Sequence, residues 1–263
     1  KECFKVDELR NESKRCKPRT IRVLPVTHIW LTKKIFGKLA QYISEHKHDN
    51  GIGLGFNPFK DFDILYKKLT DPNMEVTGDL DAAKWDGSLV ARIMIAIMEV
   101  MFEKYDGKFK FAKDFLITSI VRSFVLVADE LFATTHGLPS GVWITFLLNS
   151  FFNRGLDALV VFRNVPNPTV GHFLSIVSYV TGDDKIFGVP KGLSEYVNLI
   201  SYRDVSESLG MTATNGDKSS ITKTSQPVEK LTYLKRHMRF HPVLKRYVGP
   251  LSMNTILNMA QWC

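Results

Sequence analysis

The clearest hydrophobic stripe in the chain begins just after Gly87. Leu89, Val90, Ile93, Met94, Ile97, Met98 and Met101 recur at helical spacing while Arg92, Glu99 and Glu103 take the other face. An α-helix is therefore expected from 87 until Asp106-Gly107 breaks it, with the methionines as core contacts. A second helix is expected over 108–121. Strand character follows over 123–132, with a turn at Ala128-Asp129-Glu130. The breaker cluster Gly137-Leu138-Pro139-Ser140-Gly141 opens into a largely apolar stretch, 142–153, that predicts a buried helix. A short strand is expected over 75–81. Apolar runs at 173–180 and 185–189 flank Gly182-Asp183-Asp184 and predict a hairpin, because Gly accepts positive φ and Asp tolerates it. A helix over 193–209, a small hairpin over 232–240 and a helix starting near Ser252 complete the pattern. Strands and helices interleave without the regular alternation of a doubly wound fold. The expected class is α+β, an antiparallel sheet with helices packed on one face.

Composition narrows the class further. The 263 residues are 44% apolar and 24% charged, and 18 Phe, 8 Tyr and 4 Trp supply bulk for a core, which sets the chain apart from disordered or collagen-like sequences. No apolar run reaches the roughly 18 residues that a spanning helix needs. Cys3, Cys16 and Cys263 lie far apart with no CxxC pair, so a disulfide framework or a zinc ribbon is not indicated and a reducing compartment fits. The pairs His46/His48 and His237/His241 lack companion ligands at metal spacing and read as solvated or phosphate-facing. The first residue is Lys1, without a Met or a leader, and a piece cut from something longer is expected.

Charge adds a direction. The net +8 is concentrated at the two ends: residues 1–22 carry eight Lys and Arg against four acids, and residues 218–246 carry eight against one. Such segments suit phosphate binding but are usually solvated faces. The acids gather in the middle. Asp81 ends an expected strand, Asp86 starts an expected helix, and Asp183 and Asp184 sit in an expected hairpin turn. Carboxylates held close by sheet neighbours would repel one another, and a hard dication relieves that repulsion. Magnesium takes one or two carboxylates plus substrate phosphates, and two ions can clamp an in-line phosphoryl displacement.

At this point the blocks fall into a known order. Lys5-Val6-Asp7-Glu8-Leu9-Arg10 with Lys14, Lys17 and Arg19; Leu54-Gly55-Phe56-Asn57-Pro58; Asp81-Ala82-Ala83-Lys84-Trp85-Asp86; and Gly137-Leu138-Pro139-Ser140-Gly141 with Thr145, Asn149 and Ser150 come first. Gly182-Asp183-Asp184, then 210–218 ending in Lys218, and Leu234-Lys235-Arg236 follow. Together they resemble the RNA-dependent RNA polymerases of positive-strand RNA viruses, specifically the picornavirus and calicivirus group. The loop at 137–141 is the most specific match. Thr181 stands where that family usually has Tyr, and Cys16-Lys17-Pro18-Arg19 lacks a common glycine.

The resemblance implies a right-hand polymerase palm. Residues 1–73 would be part of the fingers, 74–242 the palm with a fingers insertion near 106–135, and 243–263 the start of the thumb. It implies metal binding by Asp81, Asp183 and Asp184, and Lys218 as proton donor to the leaving pyrophosphate. Asp86, Ser140, Thr145 and Asn149 would select the ribose. Lys5, Arg10, Lys14, Lys17 and Arg19 would bind the triphosphate, and Leu234, Lys235 and Arg236 would grip the primer. Two Mg2+ ions, or Mn2+, are the implied cofactors; RNA template and primer, nucleoside triphosphates and other viral replication proteins are the implied partners. The implied setting is the host cytoplasm, within a membrane-associated complex. Two alternatives remain. A reverse transcriptase would share the palm carboxylates but would carry a bulky side chain at position 86, and a non-catalytic RNA-binding or scaffold fragment would explain the short ends. A folded but weakly active piece is expected, with Leu251, Ile256 and Met259 exposed on its last helix.

Overall fold

The structure is a computed structural model that describes residues 2–4, 20–22, 24–105, 107–122, 124–127, 129–134, 137–139 and 141–260. In chain order, β1 (Glu2–Phe4) and β2 (Thr20–Arg22) precede α1 (Val26–Glu45), α2 (Lys47–Asn50) and α3 (Asp61–Leu69). Then come β3 (Met74–Ala83), α4 (Trp85–Ser88), α5 (Ala91–Glu103), α6 (Lys110–Val121), β4 (Phe124–Val127), β5 (Glu130–Ala133) and α7 (Thr145–Asn164). The remainder is α8 (Val170–Ser175), β6 (Val177–Thr181), β7 (Asp184–Pro190), α9 (Leu199–Ser208) and β8 (Thr212–Thr214), followed by β9 (Thr232–Tyr233), β10 (Arg236–His237), β11 (Arg239–His241), β12 (Arg246–Val248) and α10 (Met253–Ala260). Two compact units form, residues 1–41 with 84–152 and residues 42–83 with 153–263. This grouping cuts across a linear division at 73/74 and 242/243.

In the first unit the expected methionine stripe is core: α5 buries Met94, Met98, Met101 and Phe102. Phe36 of α1 meets Phe102 edge-on at 5.2 Å, and α6 buries Ala112, Leu116, Ile120 and Val121. The helix expected from 87 starts only at Ala91. The carbonyls of Asp86 and Leu89 accept instead from the amides of Leu138 and Gly137, at 2.8 and 3.1 Å, so Leu89 and Val90 stay extended. Residues 85–88 are left as a separate turn. The expected strands over 123–132 form the β4–β5 hairpin.

The second unit is built on an antiparallel sheet of order β6-β7-β3-β8. Alternation along its central strands sends Val76, Leu80, Phe187 and Val189 to one face, against Val160 and Val161 of α7, Val165 just past its end, and Leu199, Tyr202 and Val205 of α9. Gly78 is required in β3, since a Cβ there would come within 2.8 Å of Leu199 and Phe187. Tyr179 and Ile186 face the other way, onto Phe62, Leu65 and Leu69 of α3 and onto Leu231, Tyr233 and Met238. The second face is thus covered as well, by a helix for which the hydrophobic pattern alone gave no expectation.

Further element bounds differ from expectation, two of them through a helix cap. Residues 170–175 are helical because Thr169 and His172 form a capping box, which shortens the expected strand at 173–180 to β6. The helix expected from 193 begins at 199 because Asn198 caps the amides of Ile200 and Ser201. The buried helix expected over 142–153 starts at Thr145 and continues to Asn164. On α10, Ile256 and Met259 are exposed as expected and Leu257 is exposed as well, whereas Leu251 before it is half-buried.

Candidate active site

The acidic end of the sheet is set by strand register. Leu80 pairs with Lys185 across β3 and β7, and continuing that register by one residue brings Asp81 level with Asp184. The β6–β7 hairpin closes on the Thr181–Asp184 pair, so its loop is Gly182-Asp183 alone, with Gly182 at φ +67°. Asp184, expected in the turn, is instead the first residue of β7. Asp183 is exposed, and Asp81 and Asp184 are half-buried. Burial, then the Asp183 carboxylate, raises the pKa of Asp81 against the pull of Lys218 and Lys235. Burial, then Asp183 and Asp81, pushes Asp184 up to about 6 against the pull of Lys235. The three carboxylates therefore share one electrostatic neighbourhood, and the two lysines act on it as opposing charges.

A residue absent from the sequence reading organises this neighbourhood. Asp79, two positions before Asp81 and on the same face of β3, is buried. Its Oδ1 accepts from the Gly216 amide at 3.1 Å, and its Oδ2 accepts from the amide and hydroxyl of Thr232 at 2.7 and 2.9 Å. The loop carrying Lys218 and the hairpin carrying Lys235 are thereby both tied to β3. The available signal was the Asp-x-Asp spacing within an expected strand, which puts both side chains on one face.

The turns that carry the lysines are strained. Lys218 has φ +69°, and Leu234 and Lys235 have φ +55° and +58°, a loop closed by the Tyr233–Arg236 pair. Arg236 donates to the Gly249 carbonyl at 2.6 Å, so its guanidinium struts the following chain. Thr181, standing where the resembled family has Tyr, shares a hydrogen bond with the Tyr233 hydroxyl.

In the other unit, Asn149 Nδ2 donates to Asp86 Oδ1 at 3.0 Å, and Asn149 Oδ1 is buried without a partner among the described residues. Gly137, at φ +83°, lets the loop approach the Asp86 carbonyl, which a Cβ would meet at 2.7 Å. The Thr145 hydroxyl is hydrogen-bonded to the carbonyls of Pro139 and Val142 at 2.9 and 2.7 Å, in the segment that leads into α7. Ser140 and the cations Lys5, Arg10, Lys14, Lys17 and Arg19 lie outside the described residues.

Among the described residues, no group of three or more His, Cys, Asp or Glu side chains is arranged to hold a metal ion by itself. The donor set at the sheet end nonetheless fits a hard dication: oxygen ligands only, with burial first and mutual repulsion second raising two of the three pKa values. Such a site suits an ion that keeps part of its shell for water and phosphate oxygens.

A sequence model of the family described as viral RNA-dependent RNA polymerase matches residues 1–263. The chain is 27% identical over 243 residues to the RNA1 polyprotein of Tomato ringspot virus (isolate raspberry), covering 91% of this chain and 11% of the relative. It is 29% identical over 265 residues to the genome polyprotein of Human hepatitis A virus genotype IA (isolate HAS-15), covering 97% and 12%, and 26% identical over 264 residues to the replicase polyprotein of Drosophila C virus (strain EB), covering 94% and 15%. Its fold is similar to a solved structure described as Sicinivirus 3Dpol RNA dependent RNA polymerase, with a TM-score of 0.80 at 21% identity, over 97% of this chain and 53% of that one. The chain thus spans about a tenth to a seventh of the curated polyproteins it matches.

Proposed function

We propose that this chain, which belongs to the viral RNA-dependent RNA polymerase family, carries the catalytic palm for template-directed RNA synthesis, with parts of the fingers and thumb around it. The observation that supports this most is the acidic sheet end, where Asp81 on β3, Asp184 on β7 and Asp183 at the hairpin tip are held within mutual electrostatic reach. Asp81, Asp183 and Asp184 would hold divalent cations, Mg2+ or Mn2+, which supply charge to activate a primer 3′ hydroxyl and to neutralise the triphosphate. Lys218 and Lys235 add fixed positive charge beside those carboxylates, suited to the leaving pyrophosphate and to the primer backbone respectively. Lys218 would protonate the leaving group. Asp86 orients Asn149, whose Oδ1 has no partner among the described residues and would accept a hydrogen bond from a ribose 2′-hydroxyl.

The RNA would be held through phosphates and 2′-hydroxyls by the basic segment 218–246, and the triphosphate by the basic residues of the first segment. The setting that suits this role is a viral replication complex in the host cytoplasm, with other viral proteins as partners. No helix among the described residues is long and apolar enough to cross a membrane. The test is incorporation of a labelled nucleotide on a primed homopolymer, with and without Mg2+, comparing ribo- with deoxyribonucleotide. Metal-dependent incorporation of the ribonucleotide, abolished in Asp183→Asn, is expected. RNA binding without incorporation would make the chain a scaffold, and a preference for the deoxyribonucleotide would make it a reverse transcriptase.

A further inference from the structure

The loop that carries Asp183 is gripped from beneath by one buried amide. Asn153 of α7 is 2% exposed, and its Nδ2 donates to the Gly182 carbonyl at 3.1 Å and to the Asp183 carbonyl at 3.2 Å. These are the two residues of the hairpin loop, whose carbonyls in an ordinary two-residue turn have no partner but water.

Asn153 is itself held. Its main-chain carbonyl accepts from Lys185 Nζ at 3.0 Å. Lys185 directly follows Asp184 and is completely buried, and it pairs with Asp157, one helical turn beyond Asn153 and equally buried. Arg154 and the Tyr202 hydroxyl complete the Asp157 carboxylate. Burial pulls the Lys185 pKa down to about 8 although Asp157 opposes it. For Asp157, burial acts upward, but Lys185 and Arg154 outweigh it and hold the carboxyl below its usual range. Lys185 and Asp157 thus form an ion pair with no exposed side-chain surface. It staples the strand bearing Asp184 to the helix bearing Asn153 at the level of the loop.

An apolar pair of similar volume could fill this space, since the cluster around Val160, Phe187 and Tyr202 is adjacent and a buried ion pair is a weak source of stability. What the ionic arrangement supplies is direction: Lys185 Nζ is held between the Asp157 carboxylate and the Asn153 carbonyl. We propose that Asn153 is a positioning residue for Asp183, and that the Lys185–Asp157 pair locks it. The inference rests on the reading of Asp183 as a metal ligand. Magnesium demands near-ideal octahedral geometry, so drift of the loop backbone would reach the ion as a misplaced carboxylate.

The test compares Asn153→Leu, which keeps the volume and removes the donors, with Asn164→Ala, which removes an amide that donates, among the described residues, to the Val160 carbonyl of the same helix. Amide exchange over 181–185 reads the loop without any need for activity, and single-nucleotide incorporation reads the chemistry. In Asn153→Leu, exchange in the loop should quicken about tenfold, and kcat should fall about a hundredfold with nucleotide KM within about twofold. Asn164→Ala should change none of these. Where Asn153→Leu does not fold, the double variant Asp157→Leu with Lys185→Met, which removes both charges together, should move exchange and kcat in the same directions. Unchanged exchange overturns the clamp, and faster exchange with unchanged kcat overturns the positioning role. A wild-type chain that incorporates no nucleotide, yet shows the exchange difference, would leave the clamp standing and overturn the polymerase reading instead.

Discussion

Asp79 holds Thr232 through a single carboxylate oxygen, which accepts from the Thr232 amide at 2.7 Å and from its hydroxyl at 2.9 Å. The other oxygen holds the Gly216 amide. One buried side chain thus joins three segments that are far apart in sequence, and each of them brings a charged group toward the end of β3. The asymmetry of hydrogen-bond energetics makes this join sensitive, because an unsatisfied buried donor costs more than a satisfied one contributes.

Asp79→Asn should therefore be almost as damaging as Asp79→Ala. An asparagine offers one acceptor and one donor where the site has N–H groups facing both oxygens, so one N–H would face another. A loss of about 2–4 kcal/mol is expected for either variant, measured by urea unfolding. A loss below about 0.5 kcal/mol in Asp79→Asn would show that the three segments are held by something else.

Stability without metal should fall as pH rises past the acid range. Asp184 has its pKa raised from 3.8 to about 6, so between those values the native chain binds a proton that the unfolded chain has lost. Stability rises with pH only where the unfolded state binds more protons; here the native state does, and the contribution is lost as pH climbs through about 6. The shift is worth at most about 3 kcal/mol, and Asp81 adds in the same direction. Thermal unfolding in chelator should give a lower Tm at pH 7.5 than at pH 5.5, and Asp184→Asn should flatten the difference. Mg2+ should restore Tm at pH 7.5 and do little at pH 5, where the ligand is protonated.

Discrimination for ribose should depend on Asn149. With its Nδ2 committed to Asp86 and its Oδ1 unpaired among the described residues, Asn149 offers an acceptor that a 2′-deoxy substrate leaves unpaired. Asn149→Leu should narrow the ratio of kcat/KM values for ribo- over deoxyribonucleotide by 1–3 kcal/mol, or about 5–150-fold. Thr145→Val should change the ratio far less, since the Thr145 hydroxyl is spent on the Pro139 and Val142 carbonyls.

How far the sequence revealed this site depends on the kind of signal. The central strand, the α5 stripe and the β6–β7 hairpin are periodic or punctuated over short windows, and local pattern suffices for those. The α4 turn was hidden because the carbonyls of Asp86 within it and Leu89 just after it are claimed by Leu138 and Gly137, some fifty residues away, and no periodicity within 85–91 records such a claim. Asp79 and Asn153 were hidden for a related reason. Each is a polar residue in an element of mixed pattern, where the expected side chain is solvent-facing, and only the fold shows both to be buried among donors or acceptors they satisfy. Lys185 read as part of a strand, and its burial could be inferred only with Asp157 brought opposite by the packing of α7. The motifs located the ends of the elements, whereas the groups that hold them in place lie inside those elements.

The last prediction concerns the strained turn at Leu234-Lys235. Both residues sit at positive φ, +55° and +58°, in a two-residue loop of the kind normally built from Asn-Gly. A β-carbon at such a position costs roughly 1–2 kcal/mol per residue, and Lys235 is exposed, so packing does not explain its presence. Its charge does have a target, since Lys235 pulls down the pKa values of both Asp81 and Asp184. Lys235→Gly should raise stability by about 1 kcal/mol in chelator, through relief of the backbone. The same change removes the cation, so the carboxylates should titrate at higher pH and the acid limb of the kcat profile should move upward. Lys235→Asn, which tolerates this backbone region but also lacks the charge, should shift the profile equally and gain less stability. If Lys235→Gly is more stable and keeps the wild-type pH profile, the lysine has no electrostatic role at the acidic sheet end, and its strained backbone is left without a function.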